Sequence, residues 1–340
     1  MAKPMFRAFG LGLLLSLAAC GRDAGPSAPA ADRTLNGEDA TPSGEGPSGE
    51  ANAPGPGASP EMRLSYALAK WSSWAPLCEG QPSKADCDDG DMALFNGLLC
   101  AAHREGSCAS VKSSQGASGQ FWRSPRRVGV DKSNSFSRDM ALGVLLYLEE
   151  SEDTVAAKLW LKWIDQNWVC EVGSRAKCKL KSYRLCLDDS DGRCTITPGL
   201  WAMMGRVWQK LELPLHTEMS RWLSIGESGF VSEAKTVAPG FALHLAGVSA
   251  FLYENLALNL PFETELKSLV RDRQPDNIFF QYLADGVSPT LIEGLLSKCP
   301  LEAPELSTQW NWERDTVEKA WEQSMGWDCI FLGTVLMQEP

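Results

Sequence analysis

Histidine is scarce in this 340-residue chain, with only His103, His216 and His244, well separated. No Cys-X-X-Cys occurs, so a zinc ribbon or a thioredoxin-like dithiol is not expected, and three scattered histidines argue against catalytic zinc. No P-loop, Ser-hydrolase elbow or dinucleotide-binding unit is present, and no cofactor or metal is expected. Positive charge is short as well: 32 Lys and Arg face 43 Asp and Glu, a net charge of −11. Setting aside Lys3 and Arg7 gives −13, and residues 21–60 hold two Arg against six acids, which leaves −9 for the remainder. A domain that acidic lacks the footprint of a nucleic-acid binder, and its average charge argues against anionic lipid or lipopolysaccharide as direct ligand. Long apolar runs are missing too. The longest helical candidate, 239–258, contains His244, Glu254 and Asn255, so it does not read as a membrane span.

What is present begins at the N-terminus. MAKPMFRAFGLGLLLSLAAC places Lys3 and Arg7 before an apolar run from Phe9 to Ala19, which is a signal-peptide plan too short to span a bilayer. Its ending, Leu17-Ala18-Ala19-Cys20, resembles the bacterial lipobox. That resemblance implies cleavage after residue 19, lipidation of Cys20 and attachment to a bilayer. Gly21 in place of Asp implies no retention at the inner membrane. The expected location is the cell envelope, lipid-anchored. Gly, Pro, Ala and Ser fill 27 of the 40 positions from 21 to 60, and Leu35 is their one large apolar side chain. Residues 20–60 are therefore expected to be a tether of roughly 35 Å r.m.s. span. Residues 61–340 form the expected folded domain.

Ten cysteines remain besides Cys20, an even set that in an oxidising compartment reads as five disulfides. Connectivity does not follow from sequence. The short spacings point to Cys78–Cys87, Cys100–Cys108, Cys170–Cys178 and Cys186–Cys194, leaving Cys299 with Cys329. The fold class expected is all-α. Segments 91–103, 139–148, 198–208, 239–258, 276–284 and 327–337 are apolar on most sides and so must be buried. Amphipathic stretches at 152–168, 261–273, 286–298 and 312–324 lie between them. In the first of these Val155, Leu159, Trp160, Trp163, Ile164 and Trp168 form the expected buried stripe.

This alternation of buried and half-exposed helices resembles the (α/α)6 toroid of many glycoside hydrolases, polysaccharide lyases and some epimerases. The resemblance covers the whole domain and rests on alternation, not on a diagnostic motif. It implies a glycan-active site where the starts of the inner helices gather. Acidic residues stand there: Asp88, Asp89 and Asp91 before the first, Asp139 at the second and Asp328 at the sixth. Each has an ordinary explanation as a helix cap or dipole partner. Together they can supply the protonated and ionised carboxyls that glycoside cleavage needs, and Asp91 and Asp139 are the expected catalytic pair. Substrate binding is assigned to Asp88, Asp89, Arg138 and Asp328, and to Trp122 and Arg123 of FWRSPRR. Trp310 is added as a stacking platform and His244 as a base near the rim or else a core residue. Ser137 is expected to cap the second apolar helix. CLDDSDGRC (186–194) fails as an EF-hand, because Leu187 and Pro198 would occupy its end positions. The competing expectation is a non-catalytic glycan-binding or scaffold lipoprotein.

Overall fold

The computed structural model describes residues 53–55, 57–88, 90–130, 135–187, 192–299 and 325–338. Cys20, Asp89, Asp188 to Asp191, Trp310, Trp312 and the amphipathic stretch 312–324 lie outside them. The contacts of residues 51–340 separate from those of residues 1–50.

The described residues are mostly helical. In chain order the first six helices are α1 (Pro60–Trp74), α2 (Met92–Ala101), α3 (Ser107–Ser113), α4 (Arg138–Ser151), α5 (Thr154–Gln166) and α6 (Pro198–Lys210). The next six are α7 (Thr217–Thr236), α8 (Phe241–Asn255), α9 (Pro261–Arg273), α10 (Ile278–Asp285), α11 (Pro289–Lys298) and α12 (Met325–Gln338). The even-numbered helices are the six apolar segments, and every residue of α2 is buried. Two small antiparallel pairs interrupt the helices: β1 (Leu77–Cys78) with β2 (Gln81–Pro82), and β3 (Trp168–Val172) with β4 (Leu180–Tyr183).

Tertiary contacts fix the direction of the buried helices. α2 and α4 approach backbone to backbone: a Cβ on Gly143 would lie 2.0 Å from the Ala93 carbonyl oxygen, and one on Gly97 2.1 Å from that of Gly143. Only glycine permits this separation. α12 lies beside α2 in the same sense, since Trp327 Nε1 donates to the Ser83 carbonyl at one end and Gln338 Nε2 to the Ala102 carbonyl at the other. Lys210, ending α6, pairs with Glu149 near the end of α4. α7 returns antiparallel to α6, with Gly226 against the Pro198 carbonyl and Gly205 against Met219 and Leu223. Arg206 joins the two through Nε and Nη2, 2.6 and 3.0 Å from the buried Glu227 carboxylate. Between α8, α10 and α12, Phe251, Phe279 and Phe331 form a triangle with centroid separations of 5.3 to 6.2 Å, a favourable edge-to-face geometry.

Each expected cysteine pair lies at disulfide distance, with Cα separations of 5.6, 4.7, 5.6, 5.3 and 6.1 Å in chain order. Other expectations need correction. Trp168 does not extend the α5 stripe. Asn167 closes the helix, and Trp168 opens β3 of a hairpin not anticipated from the helical reading. Val155 and Leu159 are exposed, because the buried face runs through Ala156, Ala157, Trp160, Trp163 and Ile164. The helices α1, α3 and α7 were also not anticipated. Their mixed composition gives a weak apolar period, and burial is supplied by neighbours such as α12 for α1 and α6 for α7.

Candidate functional site

Two segments converge where α2 and α4 begin. The first is the loop from β2 to α2, clasped by Cys78 and Cys87. In it Asp86, Cys87 and Asp91 adopt left-handed backbone, with φ of 55°, 57° and 65°. A non-glycine residue there costs on the order of 1 kcal/mol, and such strain is found where a side chain must be aimed. Asp91 holds the N-cap position of α2, and its carbonyl accepts from the Leu94 and Phe95 N–H groups, yet its carboxylate makes no capping bond. By contrast, α6 and α10 are capped in the ordinary way, by Thr197 on Leu200 N–H and by Asn277 on Phe279 N–H.

The Asp91 carboxylate instead faces charges. Arg123 Nη1 lies 3.7 Å from Oδ1, and Lys84 Nζ lies 3.9 Å from Oδ2. Burial raises its carboxyl above the usual range, and the nearby Asp139 charge raises it further; Lys84 and Arg123 oppose the shift without reversing it. The side chain keeps 22 % exposure, so solvent still reaches it. Asp139 lies in the first turn of α4, half-buried. The two carboxylates expected to act together are thus electrostatic neighbours.

Arg123 links the two helix starts. It is buried, and its Nη2 also donates to Ser137 Oγ at 3.4 Å. Ser137 sits at the N-cap of α4 without a side-chain capping bond, so the expected cap is replaced by this link. The other arginines of FWRSPRR also address the clasped loop. Arg126 Nη1 donates to the Cys87 carbonyl at 2.9 Å, and the Arg127 charge acts on Asp88. Burial pushes the Asp88 carboxyl up, but the Gly90 N–H at 2.9 Å and Lys84 at 3.1 Å outweigh it and hold it below the usual range. Asp88 is therefore a loop-ordering carboxylate in an ion pair.

Several expected binding residues are not at the surface. Trp122 is 5 % exposed and packs with Nε1 towards Gly116, which leaves no open ring face for a sugar. Asp328 is wholly buried in the first turn of α12, beside the Trp327–Ser83 bond that supports the loop from behind. His244 is buried within α8 against Phe279, centroids 5.6 Å apart, and desolvation drives its pKa down to about 3. It is a core histidine, not a base at the rim. Arg138 lies near Glu233 of α7, whose carboxyl burial raises and the Arg138 charge lowers. Glu233 and Lys84 were not singled out from the sequence. Neither stands in a motif, and only the meeting of separate segments brings Lys84 to Asp91 and Glu233 to Arg138.

Among the described residues, no group of three or more His, Cys, Asp or Glu side chains could hold a metal ion. Among the described residues, no helix is long and apolar enough to cross a membrane. A cavity of about 280 Å³ lies elsewhere, at the ends of α8 and α10 beside the Lys267–Glu254 pair, and none of these acids lines it. The chain matches no protein-family model, and no curated protein matches it. What the site defines is a chemical class: two neighbouring carboxylates, one disfavoured as an anion, at helix starts linked by a buried guanidinium.

Proposed function

We propose that this protein is an envelope-tethered lipoprotein, anchored at Cys20, whose helical domain cleaves a glycan by general acid–base chemistry between Asp91 and Asp139. The architecture we assign is an (α/α)6 toroid. Its support is the alternation of buried and outer helices and the gathering of the starts of α2, α4 and α12 at one end. The observation that carries the activity is the Asp91 carboxylate. It stands at a helix start without a side-chain capping bond, still reached by solvent, and raised by burial and by Asp139. A carboxyl kept protonated can donate to a glycosidic oxygen, while the ionised partner activates water or attacks. Arg123 positions the pair by binding Asp91 and Ser137 at once.

The experiment is fragment release from peptidoglycan and from neutral and acidic polysaccharides, read by mass spectrometry. Asp91→Asn and Asp139→Asn each abolish release while circular dichroism is unchanged. Unsaturated products would assign a lyase in place of a hydrolase. A second function, non-catalytic glycan binding or scaffolding, is favoured by the two cations within 4 Å of Asp91, which can hold it as a structural ion pair. Binding without release, unaffected by either substitution, would establish that function instead.

A further inference from the structure

The hairpin formed by β3 and β4 differs in charge from the rest of the protein. Between Trp168 and Tyr183 the sequence holds Arg175, Lys177, Lys179 and Lys181 against Glu171 alone, a local charge of +3 within a chain of −11. All four cations are exposed, and none forms an ion pair among the described residues. At the tip, Val172 pairs across the strands with Leu180, and these side chains are 49 % and 52 % exposed. Cys170 and Cys178, with Cα atoms 5.6 Å apart, clasp the turn. Arg175 and Lys181 cover the Trp168 ring, 5.1 and 4.5 Å from its centroid, so that ring is not an open platform for a sugar.

We infer that this hairpin docks the domain onto an anionic lipid surface. Cations around an exposed apolar pair match a bilayer interface, where phosphate headgroups lie within about 5–10 Å of acyl chains. An acidic glycan would satisfy the cations but give Val172 and Leu180 nothing to enter. The clasped turn is already ordered, so little conformational freedom is lost on docking. Repulsion between the acidic remainder and the bilayer would then orient the domain, hairpin inward and acidic surface outward. Proximity to a bilayer rests on the proposed anchor at Cys20; the docking itself does not, and is tested without it.

The test uses residues 51–340, which form their own contact unit. Flotation is measured with vesicles containing about 30 mol% phosphatidylglycerol, with pure phosphatidylcholine vesicles, and with soluble polygalacturonate as the anionic glycan. The expected result is partition onto the phosphatidylglycerol vesicles alone, weakened by high salt. Each cation near such a surface contributes about fivefold at low ionic strength, so Arg175→Gln with Lys177→Gln, Lys179→Gln and Lys181→Gln should lower partition at least about tenfold. Val172→Ser with Leu180→Ser should remove the salt-resistant fraction. Partition equal on both vesicle types, or unchanged in the neutralised variant with its near-ultraviolet spectrum intact, overturns the inference. Retention by polygalacturonate with no vesicle binding also overturns it, and would make the hairpin a glycan contact. Fragment release from a soluble substrate is unaffected by these variants, so this outcome is separable from that for Asp91 and Asp139.

Discussion

Gly143→Ala tests the link between helix packing and the carboxylate pair. On an open helix, alanine in place of glycine would stabilise by about 1 kcal/mol. Here the new Cβ would stand 2.0 Å from the Ala93 carbonyl oxygen and 2.6 Å from Leu94 Cα. Both are backbone atoms of α2, which cannot rotate away as a side chain would. Ordinary contact begins at 3.4 Å, so α2 and α4 must part by about 1.4 Å or tilt by an equivalent amount. Overpacking of this kind costs typically 1–3 kcal/mol, and the loosened contacts of a wholly buried helix place it at the upper end. After the propensity gain, the net loss is about 2 kcal/mol, or roughly 4–8 °C in Tm for a domain of this size. Asp91 and Asp139 stand one turn before the crossing, so the same displacement widens their separation. Thermal denaturation and fragment release would be measured together. A Tm equal to or above that of the wild type would refute the close crossing. A lowered Tm with release per folded molecule unchanged would refute the claim that this crossing sets the site.

Three further outcomes are expected. Because the folded state holds Asp91's proton above the ordinary carboxylate pKa of 3.8, its ionisation costs stability as pH rises through and above that value. Asp91→Asn should therefore gain stability relative to wild type at pH 7 compared with pH 3 in chemical denaturation, and a difference constant with pH would contradict the shift. His244, driven from 6.5 to about 3, must be neutral when folded and charged when unfolded below pH 6.5. Stability should fall with decreasing pH by about 2 kcal/mol at pH 5 from this group, a slope absent in His244→Phe; an imidazole resonance titrating near 6.5 in the folded protein would exclude it. Arg206→Ala strands the buried Glu227 and should cost about 3 kcal/mol by denaturant unfolding, with much of the loss restored by Glu227→Gln in the same chain. No recovery in the double variant would mean that packing, not charge, holds α6 to α7.

Much of the helical layout is legible along the chain because a helix buried on all sides announces itself locally. The segments 198–208 and 327–337 lie within α6 and α12, and spacings of eight or nine residues pointed to four cysteine pairs, leaving Cys299 with Cys329. The hairpin was not legible. Trp168 continues the period of Trp160 and Trp163, and nothing local says that Asn167 ends the helix. Trp122 gives the opposite lesson: a tryptophan among arginines in a loop suits a binding wall, but whether its ring is covered depends on the segment around Gly116. Asp328 and His244 lie near helix starts, as expected, yet depth inside the bundle is not a property of position along a helix.

The sequence by itself determined the helical class and the buried helices, because each depends on residues within a few turns of one another, and its short cysteine spacings pointed to four of the five pairs. The identities of Asp91 and Asp139 as candidates were equally local, since both mark the start of an apolar run. Tertiary structure alone decided that they are neighbours, that Arg123 bridges their helices and that Lys84 joins them. Those contacts span 48 residues from Asp91 to Asp139 and depend on Gly97 and Gly143 letting two backbones touch. Charge divides in the same way. Composition fixes a net −11 and the sequence places four cations between Trp168 and Tyr183, but only the fold sets Val172 across from Leu180 among them and leaves both exposed.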